Sequence, residues 1–175
     1  IGTIVTGADS RDLMALWPYG QGMWKSSDGG STWAPELGTT TYLSISEIQY
    51  CPFKVNVNGN LEPMIIAASA DKLYQKIGYN GVWTLVPLPT LPLGKLAIRD
   101  ITFTESNGKF YIGTLHDWVN PPIGPGYIPA RIFEVNFNTS TGVIGTVTTI
   151  KTGADGFVFQ KSDHSGVITC NSLGF

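Results

Sequence analysis

Three carboxylates stand directly ahead of alternating hydrophobic runs. Glu47 precedes Ile48-Gln49-Tyr50, Asp100 precedes Ile101-Thr102-Phe103, and Asp155 precedes Phe157-Val158-Phe159. Two carboxylates facing each other roughly 5–10 Å apart are what glycoside hydrolysis needs, one protonated as acid and one ionised as base or nucleophile. Asp100 and Asp155 are the candidate pair. The competing reading is that an acid at a strand entrance caps a turn, and on that reading no catalytic residue is assigned. A second chemistry lies in the aromatics. The stretch 115–130 holds His116, Asp117, Trp118, Tyr127 and four prolines, and Trp17 and Tyr19 sit in an earlier connection. Flat rings beside polar groups suit pyranose faces, whose hydroxyls seek polar partners. The same rings also serve to pack a loop on its own sheet or against a neighbouring subunit. His116 and His164 are too few and too separated for a zinc site, and Asp9, Asp12 and Asp28 lack EF-hand spacing. No metal or cofactor is expected, and no nucleophile elbow, P-loop or dinucleotide fingerprint occurs.

The elements that would position these residues show first in Met23 to Trp33, Met-Trp-Lys-Ser-Ser-Asp-Gly-Gly-Ser-Thr-Trp. Met23-Trp24-Lys25 reads as a strand and Asp28-Gly29-Gly30 as a tight reversal, because Asp and Gly accept the positive backbone angles of a hairpin turn. Ser26, Asp28 and Thr32 carry short oxygens able to satisfy amides inside the turn, and Trp33 has a flat body to fold back over it. Shifted by fifty residues, Met23-Trp24-Lys25…Trp33 falls on Leu73-Tyr74-Gln75…Trp83, and Leu13-Met14-Ala15-Leu16 falls on Pro63-Met64-Ile65-Ile66. With the alternating runs added, one repeat reads as four strands, A to D. The second copy is expected at 44–51, 63–69, 72–77 and 82–87, and the third at 98–104, 109–114, 131–137 and 143–150. Four antiparallel strands at this period match a propeller blade. No window carries a helical stripe.

Ser26-x-Asp28-Gly29-Gly30-x-Thr32-Trp33 resembles the Asp box, or BNR repeat, of sialidase-like and sortilin-like β-propellers. The resemblance implies an all-β fold of four-stranded antiparallel blades, with Ser26, Asp28, Gly30, Thr32 and Trp33 in a structural role on an outer hairpin. The expected units are 1–41, 42–96, 97–152 and the start of a fourth at 153–175, about three and a half blades. The likeness of Ile1 to Asp9 with Ile144 to Asp155 suggests that the chain opens on a D strand. A fragment of a longer polypeptide, or a ring completed by other chain segments or subunits, is therefore expected. Blade geometry gathers the turns into A and from B to C at one end, so Trp17, Tyr19, the 115–130 loop and the three acids share a face. Sialidases present three arginines and a Phe/Tyr-Arg-Ile-Pro motif. Here Arg11, Arg99 and Arg131 are the only arginines and Tyr127-Ile128-Pro129-Ala130-Arg131 is scrambled against that motif, which speaks against sialidase activity. The xyloglucan-cleaving double propellers, which use Asp residues and several Asp boxes, are the nearer catalytic resemblance.

Composition agrees with short strands and many turns, with 21 Gly and 11 Pro among 175 residues. Charged residues are 14%, against roughly a quarter in an average soluble domain, and the net charge is -2. Nothing points to nucleic acid as a partner, and no apolar run approaches the ~20 residues of a membrane span. Cys51 and Cys170 form either one disulfide or two buried thiols. Asn138-Thr139-Ser140 fits the N-glycosylation acceptor pattern. Low charge and the resemblance together lean towards a secreted or cell-surface location. The expected function is a non-enzymatic extracellular module that binds a glycan or a protein through the B–C loop face. The alternatives are part of a polysaccharide-active glycoside hydrolase using paired Asp, or a structural subunit of a surface or filament assembly.

Overall fold

The computed structural model of the chain describes residues 4–6, 13–16, 22–38, 43–52, 54–69, 72–89, 97–104, 108–115, 117–118, 127–128, 131–152, 157–160 and 167–170. The fold is all-β, and the described residues contain no helix. Three four-stranded antiparallel sheets follow one another along the chain. The first joins β1 (Ile4–Thr6), β2 (Leu13–Leu16), β3 (Met23–Ser26) and β4 (Ala34–Pro35) in that order. Next in the chain come β5 (Ile45–Tyr50), β6 (Val55–Val57), β7 (Asn60–Glu62), β8 (Met64–Ser69), β9 (Lys72–Ile77) and β10 (Thr84–Val86). Here β5-β8-β9-β10 form the second sheet, and β6 and β7 a separate hairpin. The third contains β11 (Ala97–Phe103), β12 (Lys109–Leu115), β15 (Arg131–Phe137) and β16 (Ile144–Thr152), with β13 (Asp117–Trp118) and β14 (Tyr127–Ile128) paired between β12 and β15. Finally β17 (Phe157–Gln160) pairs with β18 (Val167–Cys170).

One expectation is corrected. The first strand does not sit as an outer D strand. It pairs with β2 through Ile4↔Ala15, Val5↔Met14 and Thr6↔Leu13, and so takes the first place in its own sheet. The connection from Thr6 to Leu13 is short, and a short connection favours antiparallel neighbours. The similarity of Ile1–Asp9 to Ile144–Asp155 is one of strand composition, and composition does not name a partner.

The middle sheet is packed on both faces. Its strand β8 reads Met-Ile-Ile-Ala-Ala-Ser and is buried at every position, the continuous apolar run expected of a strand covered on two sides. Successive side chains point to opposite faces. Met64, Ile66 and Ala68 therefore join a core with Ile98, Ile101, Phe110, Ile112 and Phe133 of the third sheet. Ile65 and Ala67 join a second core with Met14 and Met23 of the first sheet and with Ile45 and Ile48. The sheets thus stack face to face in chain order. Across the seams, β5 lies beside β1 and β2 on one side and β11 on the other, and β17 lies beside β11 and β12.

Candidate ligand-binding face

The first strands of the second and third sheets share an irregularity at their starts. In β5 the register shifts between Ile45 (opposite Ser69) and Glu47 (opposite Ala68), which leaves Ser46 as the extra residue. In β11 it shifts between Ile98 (opposite Thr114) and Asp100 (opposite Gly113), which leaves Arg99. Such bulges bend a strand and re-aim its side chains. Here both come one residue before a carboxylate, so Glu47 and Asp100 hold corresponding positions in neighbouring sheets. Both are half-buried. Glu47 Oε1 accepts from Gln49 Nε2 at 2.9 Å. The Ser46 hydroxyl lies 3.2 Å from Ala68 O and 3.1 Å from Ile98 O, so the extra residue of one strand reaches across to the other. That contact also sets the two strand starts side by side, at one end of the stack.

The 115–130 connection leaves β12 and re-enters β15 at this same end. Within it β13 and β14 form a two-stranded ribbon through Asp117↔Ile128 and Trp118↔Tyr127, so the tryptophan and the tyrosine are directly opposed. The base of the loop is closed by Thr114. Its Oγ1 accepts from Arg131 N at 2.8 Å and lies 3.2 Å from Arg131 O, to which the hydroxyl donates. The structure therefore gathers Glu47, Asp100 and the ribbon bearing Asp117, Trp118 and Tyr127 at one end. Trp17, Tyr19, His116 and Asp155 lie outside the described residues, and with Asp155 the carboxylate-pair test lies outside them too. Cys51 is half-buried, and the choice between one Cys51–Cys170 disulfide and two thiols lies outside the described side chains. Among the described residues no group of three His, Cys, Asp or Glu is arranged to hold a metal ion.

The Met23–Trp33 hairpin lies at the opposite end, where β3 turns into β4. Asp28 organises it. Its Oδ1 accepts from Thr32 N at 2.9 Å and from Ser26 Oγ at 2.8 Å, and its Oδ2 accepts from Thr32 Oγ1 at 2.6 Å. Ser26 Oγ accepts in turn from Gly30 N at 2.8 Å, and Trp33 Nε1 donates to Gly30 O at 3.0 Å. Gly29 and Gly30 take φ of 72° and 92°, a region costly for side chains with a Cβ. The hydrogen bonds from Thr32, first from its hydroxyl and then from its amide, together with that from Ser26, hold the Asp28 carboxyl down at about 2. These five residues are spent on the turn and face away from the acids of the other end.

Sequence reasoning missed a polar cluster between the first two sheets. Glu36, just after β4, ion-pairs with Lys76 and accepts from Trp83 Nε1 at 2.9 Å, while Lys25 Nζ lies 3.6 Å from its other oxygen. Lys76 is 1% exposed, and burial pushes its ammonium below the ordinary lysine value against the pull of Glu36. Lys25 donates to Asn80 Oδ1 at 3.3 Å and lies 5.0 Å from the centre of the Tyr79 ring, whose hydroxyl donates to Ser26 O. Residues 40 to 55 positions apart carry no local sign of this. Nearby, the β6–β7 hairpin and the β9–β10 turn border an open pocket of about 270 Å³ lined by Val57, Glu62, Ile77 and the turn Gly78–Gly81.

Compared with known proteins, the chain matches no family model and no curated protein.

Proposed function

We propose that the chain forms part of an Asp-box β-propeller and that it binds a carbohydrate, without turning it over, through the end that carries Glu47, Asp100 and the β13–β14 ribbon. The observation that carries this reading is the convergence of the first strands. β1, β5, β11 and β17 neighbour one another in turn, while farther out the first two sheets are bridged by the long side chains of Glu36, Lys76 and Trp83. Four-stranded sheets that neighbour one another through their first strands are what radially stacked blades would have around an axis, which supports this reading. Loops at one end of such an axis converge, which puts aromatic and carboxylate groups within reach of one ligand. The low charge and the repeat resemblance support an extracellular setting.

A portion of a polysaccharide-active glycoside hydrolase is the second reading. It is favoured by the bulge that sets Asp100 just beyond the strand irregularity at this end. A glycan array separates the two readings. Wild type should bind one class of oligosaccharide, Trp118→Ala should lose it, and Asp28→Ala at the far end should keep it. Unchanged binding by Trp118→Ala disposes of the aromatic platform. Release of reducing ends from the bound glycan by wild type, abolished in Asp100→Asn, would replace the binding reading with the hydrolytic one.

A further inference from the structure

We propose that Asn138 is a site of N-linked glycosylation, taking its sugar from a lipid-diphosphate-linked oligosaccharide. Of the chain's asparagines, Asn138 alone is followed by Thr-Ser in the acceptor spacing. The structure puts Asn138, Thr139, Ser140 and Thr141 on the exposed turn from β15 to β16. Its two amide atoms are used unequally. Oδ1 accepts from Ser140 N at 2.9 Å and from Thr141 N at 3.0 Å, whereas Nδ2 makes no hydrogen bond among the described residues. The turn is closed by main-chain bonds as well, Asn138 N to Val143 O at 2.9 Å and Gly142 N to Asn138 O at 2.7 Å. A substituent on Nδ2 therefore leaves every bond that holds the turn in place, and its exposure gives the sugar open solvent to occupy. Ser140 contributes to the fold through its carbonyl, which accepts from Asn56 N of β6, so its hydroxyl is not needed for the turn.

In the reaction Asn138 Nδ2 attacks the anomeric carbon of the donor sugar. The C–N bond forms, the bond from that carbon to the diphosphate oxygen breaks, the lipid diphosphate leaves with the bonding pair, and the amide nitrogen gives up one proton. No electrons are exchanged with an oxidant or reductant. The turn lies at the end remote from Glu47 and Asp100, so a glycan here leaves the candidate face open.

Occurrence of the modification in the native setting rests on the extracellular reading, but the competence of the site does not. The 175-residue chain is expressed behind a cleavable signal peptide in cultured animal cells and collected from the medium and the secretory lumen. Peptide mass spectrometry should find a glycan on Asn138. Digestion with a peptide N-glycanase should give a single downward step on a gel. The step should be absent in Asn138→Gln and in Ser140→Ala, both with unchanged circular dichroism, and present in Asn60→Gln. A lumenal chain unmodified at Asn138 overturns the proposal, as does a glycosylated chain that has lost its β-sheet signal. If fractionation of the native source places the chain in a compartment without such donors, the extracellular reading fails while the measured competence of Asn138 stands.

Discussion

Between the second and third sheets, Phe103, Phe110 and Phe137 pack with ring centres 5.1 to 6.1 Å apart and fill the gap with hydrocarbon. Between the first and second, the outer part of the same kind of gap is filled by Lys25, Glu36, Lys76, Tyr79 and Trp83. Among the described residues, polar crossings of the second seam lean on backbone, as where buried Gln75 donates to Gly142 O and Asn56 N to Ser140 O. The difference teaches that sheet stacking in this fold asks for volume, and that polarity is a local choice with its own cost. Hydrocarbon is insensitive to pH and tolerant of shape-preserving exchange. A carboxylate shared by two ammonium groups must keep every partner or leave a charge stranded.

The largest effect is expected in the aromatic seam. Phe110→Ala empties a fully buried site and should cost about 4 kcal/mol in urea unfolding. A loss under about 1 kcal/mol would mean that the seam collapses around the hole. Next comes the polar seam. Glu36→Ala strands Lys76 and should cost about 3 kcal/mol. The double variant Glu36→Leu/Lys76→Met should recover most of that loss, whereas additive losses would show that the pair was not acting as a unit. Gly142→Ala should cost about 2 kcal/mol, since a Cβ there meets Ile77 Cδ1 at 2.8 Å and Met64 Sδ at 3.3 Å with φ at +72°.

The two smallest effects separate the regions by pH. Lys76 holds its proton less tightly in the folded chain than in the unfolded one. Stability should therefore rise with pH from its lowered folded value up to the ordinary value of 10.5. Lys76→Met should flatten that rise. Asp28 has the same sign at the acid end of the scale. Its contribution is complete above the unfolded carboxylate value near 3.9 and is lost as pH falls through about 2. Thermal melts of Asp28→Asn against wild type should converge at that acid limit. Because Asp28 is exposed, the difference above it should be the smallest of the set.

Where apolar spacing is strong, the sequence is legible to the residue. The strands expected at 72–77 and 131–137 are β9 and β15 with the same ends. Phe133–Phe137 alternates, and alternation is a local property, while Lys72–Ile77 is placed by its fifty-residue register with the Met23 strand. Two things were not legible, and a third carried a signal outside the fifty-residue repeat. The place of β1 depends on its partner, which Ile4-Val5-Thr6 does not encode. The β6–β7 hairpin had a signal that went unread, Asn58-Gly59 between Val55-Asn56-Val57 and Asn60-Leu61-Glu62, and both turn residues have positive φ. The Glu36–Lys76 pair joins residues forty apart through tertiary packing alone. At the candidate face, the common end of Glu47, Asp100 and the Trp118–Tyr127 ribbon could be anticipated from the repeat. The bulges could not, because an extra residue inside Ile45-Ser46-Glu47 looks like ordinary strand.

Those extra residues set the counting rule for the inner strands. Ile45 and Ile48 share one core, and Ile98 and Ile101 share another, although three-residue spacing would normally put such pairs on opposite faces. Loss of Ser46 alone would leave Ile45 two residues ahead of Ile48, still on the same face, and would remove the bend together with the hydroxyl's contact to Ile98 O. The extra residue therefore fixes where the strand bends and where one sheet reaches the next, so a grafted unit would have to carry it to keep that crossing contact.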